Sequence, residues 1–223
     1  RETNIKIYVM KKPDRLLAEK LLQISAIKLQ PESPFVWGTG WNSPIYIENP
    51  RLLSYPDIRN LIKIEMAKEI IEHFSDVDAI ASVSTGAIPM GAIVADALGV
   101  PFLFVRSTPK DHGLENLIEG NLKPGQKVVL VDDLISTGAS SVKASEVIRL
   151  AGGEVLGLTA IFNYEFPMAV KRLRDENISL IPLVNYSSML EVALETEYIR
   201  PEDIDTLQEW RKDPANWVPG GRE

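Results

Sequence analysis

The chain has 223 residues, 45% of them apolar, a net charge of −7 and no cysteine. That length suits one α/β domain or two small ones; the acidity argues against duplex nucleic acid as a partner, and the missing thiols exclude disulfides, thiolate nucleophiles and Cys-ligated zinc. No apolar run is long enough to span a bilayer, and the opening RETNIKIYVMKKPDR has no signal-peptide core, so the expected setting is a reducing cytoplasm without membrane attachment; Met10 is a candidate start.

In chain order, PDRLLAEKLLQISAIK (13–28) places Leu17, Leu21, Ile24, Ala26 and Ile27 at helical spacing. FVWGTGWNSPIYIE (35–48) reads as two short strands joined through Gly38 and Gly40. Pro56 is a favoured first-turn residue and opens a helix running through Ile58, Leu61, Ile62, Met66, Ile70 and Phe74. DAIASVS predicts a strand, GAIPMGAIVADALG a helix and PFLFVR a strand, followed by a long polar loop over 107–126. Then come strand 127–132, helix 139–151 stopped by Gly152-Gly153, strand 154–162, helix 167–176, strand 178–184 and a helical C-terminus. Strands separated by helix-length segments imply α/β architecture, with a mostly parallel central sheet covered by helices on both faces.

The stretch KVVLVDDLISTGASS (127–141) carries the chemistry. In such sheets ligands bind beyond the carboxyl ends of the strands, where Asp132 and Asp133 fall. The small residues that follow let backbone N–H groups approach an anion, and a helix N-terminus adds about half a positive charge. The hydroxyls of Ser136, Thr137, Ser140 and Ser141 can donate as well. Carboxylates repel phosphate, so the two aspartates must hold something else: sugar hydroxyls, or a metal through water. A ligand with both a phosphate and a ribose meets both halves. The Gly-Lys-Ser/Thr of a nucleotide P-loop is absent.

This stretch resembles the fingerprint of the type I phosphoribosyltransferases, which bind phosphoribosyl pyrophosphate (PRPP). The resemblance implies that family's fold with a small N-terminal hood. It implies that Asp132 and Asp133 hold the ribose 2′- and 3′-hydroxyls, and that Leu134, Ile135, Ser136, Thr137, Gly138, Ala139 and Ser140 wrap the 5′-phosphate. SVSTGAIPMGA (82–92) resembles the family's pyrophosphate loop, assigning that role to Ser84, Thr85 and Gly86. FVRSTPKDHGLENLIEG (104–120) places Arg106, Lys110 and His112 on the long loop. A solvated surface loop is the plain alternative, but the length suits a lid and the cations suit a pyrophosphate leaving group. R-x-x-x-K-D-H-G resembles the catalytic loop of the orotate branch. It implies that Arg106, Lys110 and His112 are catalytic, contact pyrophosphate and reach the active site of a dimer partner.

FVWGTGWNSPIYIE resembles that branch's orotate-binding segment, F-x-x-x-S-G-x-x-S-P, with Ser136 and the backbone near Tyr46 and Ile47 as base contacts. LQEWRKDPANW (207–217) resembles the C-terminal tail of one bacterial branch, and reads equally as an amphipathic end helix packing Leu207, Trp210 and Trp217. Residues 1–55 are then a helix and orotate-side hood, 56–200 a PRPP-binding core and 201–223 a helical tail, in one integrated domain. The pattern departs in places. Many orotate enzymes have a lysine where this chain has Gly38, another near Gly86 and, in some, one at Ser107; many have an arginine after the strand ending near Phe162, where this chain reads IFNYEFP. His73, in the last turn of a helix, is given no role.

The implied reaction moves the phosphoribosyl group from PRPP to orotate, giving orotidine 5′-phosphate and pyrophosphate in UMP biosynthesis. Magnesium is the implied cofactor, carried by PRPP near Asp132 and Asp133 with no direct protein ligand. The alternatives are a transferase for another base and a PRPP-sensing regulator, although neither a helix-turn-helix nor a basic patch is visible.

Overall fold

A computed structural model describes residues 13–108 and 117–220. The first helix, α1 (Pro13–Gln23), buries Leu17, Ala18, Leu21 and Leu22. It is shorter than its periodicity suggests. Ser25 turns left-handed at φ 55°, its N–H donates to the Leu22 carbonyl at 3.0 Å and that of Ala26 to Leu21 at 2.9 Å. These are the two bonds of a Schellman stop. Ala26 and Ile27 therefore leave the helix, and Ile27 opens strand β1 (Ile27–Leu29).

The 35–48 stretch holds three strands rather than two. β2 (Phe35–Val36) pairs antiparallel with β3 (Asn42–Ser43), while β4 (Ile45–Ile47) pairs antiparallel with β1. Pro44 separates β3 from β4, because it has no N–H to continue a ladder. A 3-10 turn (Asn49–Ser54) leads into α2 (Pro56–His73), which starts at the expected proline.

The core follows as β5 (Ala79–Val83), α3 (Ile88–Leu98), β6 (Phe102–Val105), β7 (Ile118–Glu119), β8 (Lys127–Ile135), α4 (Ala139–Leu150), β9 (Glu154–Asn163), α5 (Pro167–Asp175), β10 (Leu180–Asn185), α6 (Tyr186–Glu195) and α7 (Asp203–Lys212). The six-stranded sheet runs β10-β9-β8-β5-β6-β7. Every pairing is parallel except β6 with β7. β7 lies inside what the sequence shows as continuous loop. Two residues are too short to carry a periodic signal. All five residues of β5 are buried, as a strand covered on both faces requires.

From β5 the chain winds through α3 to β6 toward one edge; from β8 it winds through α4 and α5 to β10 toward the other. Right-handed crossovers then place α3 and the α4–α5 pair on opposite faces. α2 joins α3's side, packing on α3, β9 and β10, and α1 packs on α2, α6 and β10. The winding reverses between β5 and β8. Among the described residues no helix is long and apolar enough to cross a membrane.

Candidate active site

The reversal point is where a doubly wound sheet opens a crevice. β8 pairs with β5 through Val128–Val131 and with β9 as far as Ile135. Past Val131 its β5-facing edge is open. Asp132 and Asp133 therefore lie within the strand, not at its end, because β9 still supplies a ladder there. Leu134 and Ile135 are strand residues too, and the Ile135 side chain is in the core; toward a phosphate they can offer backbone, not side chains.

Asp132 is 4% exposed. It accepts the Ser141 hydroxyl at 2.7 Å and the Asp133 N–H at 2.9 Å. Ser141, grouped with the phosphate donors in the sequence, is one turn into α4, buried and committed to Asp132. Asp133 faces the other loop: a Cβ added at Gly86 would lie 2.4 Å from its Oδ2. The expected pyrophosphate loop, Ser84–Gly86, and the expected ribose acids thus pack on each other. Ser84 holds the end of β6 through its N–H, 3.0 Å from the Val105 carbonyl, and its hydroxyl donates to the same oxygen. The Ser84–Thr85 peptide is cis.

Gly86→Ala is expected to leave the fold nearly as stable as before, since only the Asp133 carboxylate must move. Shifting a binding group by about 1 Å can cost on the order of a hundredfold in rate. Thermal melting beside kcat/KM checks the split; a variant of unimpaired activity would show that the contact is not needed.

Burial raises the pKa of both acids, well above the ordinary range for Asp132, where the adjacent Asp133 adds to it and the Ser141 hydrogen bond opposes it. A carboxyl raised on folding adds stability at pH below its unfolded value and loses it as pH rises through the folded value. The ligand-free protein should therefore melt lower near neutrality than this pair would permit in acid. Asp133→Asn is expected to melt at or above wild type at neutral pH, the advantage shrinking toward pH 5, while binding ribose phosphates less well. Scanning fluorimetry across that range, with calorimetry of the product, checks both; a destabilised variant at neutral pH would contradict the burial argument.

After Ile135 the chain turns through Ser136, Thr137 and Gly138 into α4, whose first residues Ala139 and Ser140 are exposed. Gly138 takes φ 73°, a left-handed conformation that glycine adopts without strain. No side chain among the described residues caps α4, which leaves its first-turn N–H groups for another acceptor. Arg172 of α5 donates to the Thr137 carbonyl, holding that dipole away from an anion. A cavity of about 250 Å³ adjoins the turn, lined by Ser84, Val105, Arg106, Ser107, Ser140 and Lys143 among others. Arg106 pairs with Glu119 at 3.1 Å, and Lys143 donates to the Ser107 carbonyl at 2.8 Å. Lys110 and His112 lie outside the described residues.

Tyr46 of β4 is 41% exposed and rests on Phe35, ring centroids 5.4 Å apart, whereas Ile47 turns inward. Asn49, which sequence reasoning missed, donates from Nδ2 to the Asp133 carbonyl at 2.7 Å and ties the hood to the acid strand. Its only signal was the Asn-Pro turn. Lys143 and Arg172 were missed as well: Lys143 lies just beyond the motif on α4, and Arg172 approaches from α5. The tail closes on the hood. Trp210 of α7 is fully buried, packs edge-on against Trp37 at 5.7 Å and donates to the Asn42 carbonyl at 3.0 Å. Leu207 is buried with it and Trp217 is half-buried against the core. His73 lies beside Glu69 on α2, 3.2 Å away.

The phosphoribosyl transferase domain family matches residues 55–176. The orotate phosphoribosyltransferase of Bacteroides thetaiotaomicron is 60% identical over 211 residues, 95% of this chain and 100% of that one. The chain belongs to the orotate phosphoribosyltransferase family. Among solved structures, Leishmania donovani UMP synthase aligns with a TM-score of 0.75 at 27% identity, over 89% of this chain and 42% of that longer one. Orotate phosphoribosyltransferase from Aeropyrum pernix aligns at 0.67 and 26% identity, over 78% of this chain and 97% of its own. The fold is accordingly that of the type I phosphoribosyltransferases. The family match spans both crevice loops, and the curated relative extends the likeness to the hood and tail.

Proposed function

We propose that the chain transfers the phosphoribosyl group of PRPP to orotate, releasing pyrophosphate and forming orotidine 5′-phosphate for UMP synthesis. The observation that carries this reading is the packing of Asp133 against Gly86 at the reversal point. It sets a ribose-hydroxyl site and a pyrophosphate site side by side, as PRPP requires. Asp132 and Asp133 accept the 2′- and 3′-hydroxyls. The uncapped N-terminus of α4, with Ser136, Thr137, Gly138 and Ser140, takes the 5′-phosphate. Ser84, Thr85 and Gly86 offer backbone to pyrophosphate, with Arg106 and, from the segment outside the described residues, Lys110 and His112. Ser136 and the backbone at Tyr46 and Ile47 face the base.

As the C1–O bond breaks, the sugar becomes oxocarbenium-like and the leaving oxygens gain charge, so fixed donors and exclusion of water supply most of the help. Orotate's ring nitrogen is acidic enough to need no strong base. Two adjacent carboxylates with a neighbouring hydroxyl form a hard-oxygen donor set, which fits magnesium brought in on pyrophosphate and ribose. When bound, that ion neutralises leaving-group charge. The reading includes a hood over 1–55, a PRPP core over 56–200 and a tail over 201–223, a two-fold homodimer with shared sites, and a cytoplasmic setting.

The test is a spectrophotometric assay of orotate with PRPP and magnesium, run beside uracil, hypoxanthine and adenine. Orotate is expected to be consumed alone. Preference for another base, or PRPP binding without turnover, would overturn the assignment.

A further inference from the structure

The crevice holds a cation to which the proposed reaction gives no role. Lys143 lies one turn into α4, three residues after Ser140 and four after Ala139, so it shares their face of the helix. All three line the cavity of about 250 Å³, together with Ser84 just past β5 and Arg106 and Ser107 just past β6. The Lys143 ammonium donates to the Ser107 carbonyl at 2.8 Å. Its side chain therefore crosses from the helix to the end of β6, and the charge is delivered next to Arg106.

That carbonyl occupies one of the three ammonium donors and neutralises none of the charge. Among the described residues Lys143 pairs with no carboxylate, in a chain of net charge −7. Arg106, by contrast, is matched by Glu119 at 3.1 Å. The first turn of α4, uncapped by any described side chain, adds positive potential on the same wall of the cavity. A cation and a helix N-terminus that face one open space without a counterion repel each other until an anion enters. The position of the ammonium says which anion. Its stem starts on the helix assigned to the ribose phosphate, but Nζ rests on the strand end that carries Arg106, in one cavity with Ser84, and these two are the groups assigned to pyrophosphate.

We propose that Lys143 is a further pyrophosphate-binding residue, reaching the leaving group of PRPP from the helix that holds the ribose phosphate. The inference rests on the reading of the crevice as a PRPP site. One donor stays on the Ser107 carbonyl and fixes the direction of the side chain, while the other two meet phosphate oxygens. Because Lys143 belongs to α4 of the same subunit, its charge is in place before any residue of the long loop contributes. It therefore acts on PRPP binding more than on the later bond-breaking step, and its loss should raise the PRPP KM more than it lowers turnover.

The test compares two ligands by calorimetry: pyrophosphate with magnesium, and orotidine 5′-phosphate, which keeps the ribose phosphate and lacks pyrophosphate. Lys143→Gln keeps a polar stem and removes the charge. It is expected to weaken pyrophosphate roughly tenfold, as loss of a hydrogen bond to a charged group does, to raise the PRPP KM by a similar factor and to leave orotidine 5′-phosphate unchanged. Lys143→Arg, which keeps the charge, should recover most of the loss. Neither variant should shift the melting temperature, since the surrendered bond ends on the carbonyl of an exposed residue. Equal weakening of both ligands would mark a ribose-phosphate contact or a disturbed crevice, and unchanged pyrophosphate affinity would reduce Lys143 to a tie on the loop stem. Either result overturns the inference while the orotate reading stands. A wild type that makes no orotidine 5′-phosphate overturns that reading instead, and the pyrophosphate titration still decides Lys143.

Discussion

Replacing Lys110 with alanine is expected to lower turnover on the order of a hundredfold or more while the orotate KM moves much less. The argument concerns where charge develops. Pyrophosphate oxygens gain charge chiefly as the C1–O bond breaks, so a lysine aimed at them holds the transition state more tightly than the ground state. The protein around it is acidic, and nearby cations are engaged: Arg106 with Glu119, Lys143 with the Ser107 carbonyl. Arg106 is assigned to the same pyrophosphate, as Lys143 is by inference, so their charges add to that of Lys110 and are not expected to replace it. The stems of the loop are firmly set. The Arg106 N–H donates to the Leu117 carbonyl at 2.7 Å and Val105 pairs with Ile118, so the segment begins and ends at the carboxyl edge of the sheet, next to the cavity bearing Ser84 and Ser140. Steady-state kinetics with each substrate varied checks this. Turnover within about threefold of wild type, less than 1 kcal/mol in barrier, would make the loop a solvated surface segment.

What could be read from the chain followed from how local each feature's cause is. The alternation of β5, α3, β6, β8, α4, β9, α5 and β10 was legible because parallel strands buried on both faces are apolar runs and their crossovers are amphipathic. The strand-turn-helix over Asp132–Ser140 was legible because its cause is local to that one stretch. Features set by partners were not. β8 continues past Asp132 only because β9 continues beside it, and β7 exists only because β6 offers an edge. The helical spacing of 13–28 ran on into β1, since Ser25 is an uncommon residue for a left-handed helix stop and gave no warning. Asn49, Lys143 and Arg172 reach the crevice from three separate elements, and no spacing rule joins them. Trp37, Tyr164 and Trp210 converge from the hood, the end of β9 and the tail. Each alone looks like core, and no periodicity in the chain shows that they meet.

Mixing two inactive variants, Lys110→Ala and Asp132→Asn, is expected to restore activity once subunits exchange. The proposed dimer has two equivalent sites. In each, Asp132, Asp133 and Ser136 come from one chain and Lys110 and His112 from the other, as the likeness of the K-D-H-G loop to the orotate branch implies. The cradle half of that division is local to one chain, since Asp132 is held by Ser141 and Asp133 packs on Gly86 of the same subunit. A heterodimer then holds one site with both lesions and one with none. At equal mixing about half the dimers are hetero, each with one good site of two, so activity should rise toward roughly a quarter of wild type by this symmetry argument. The control is each variant exchanged with itself, which should stay inactive. Proven exchange, read by mass difference or fluorescence transfer between labelled chains, without any return of activity would mean that Lys110 serves the crevice of its own subunit.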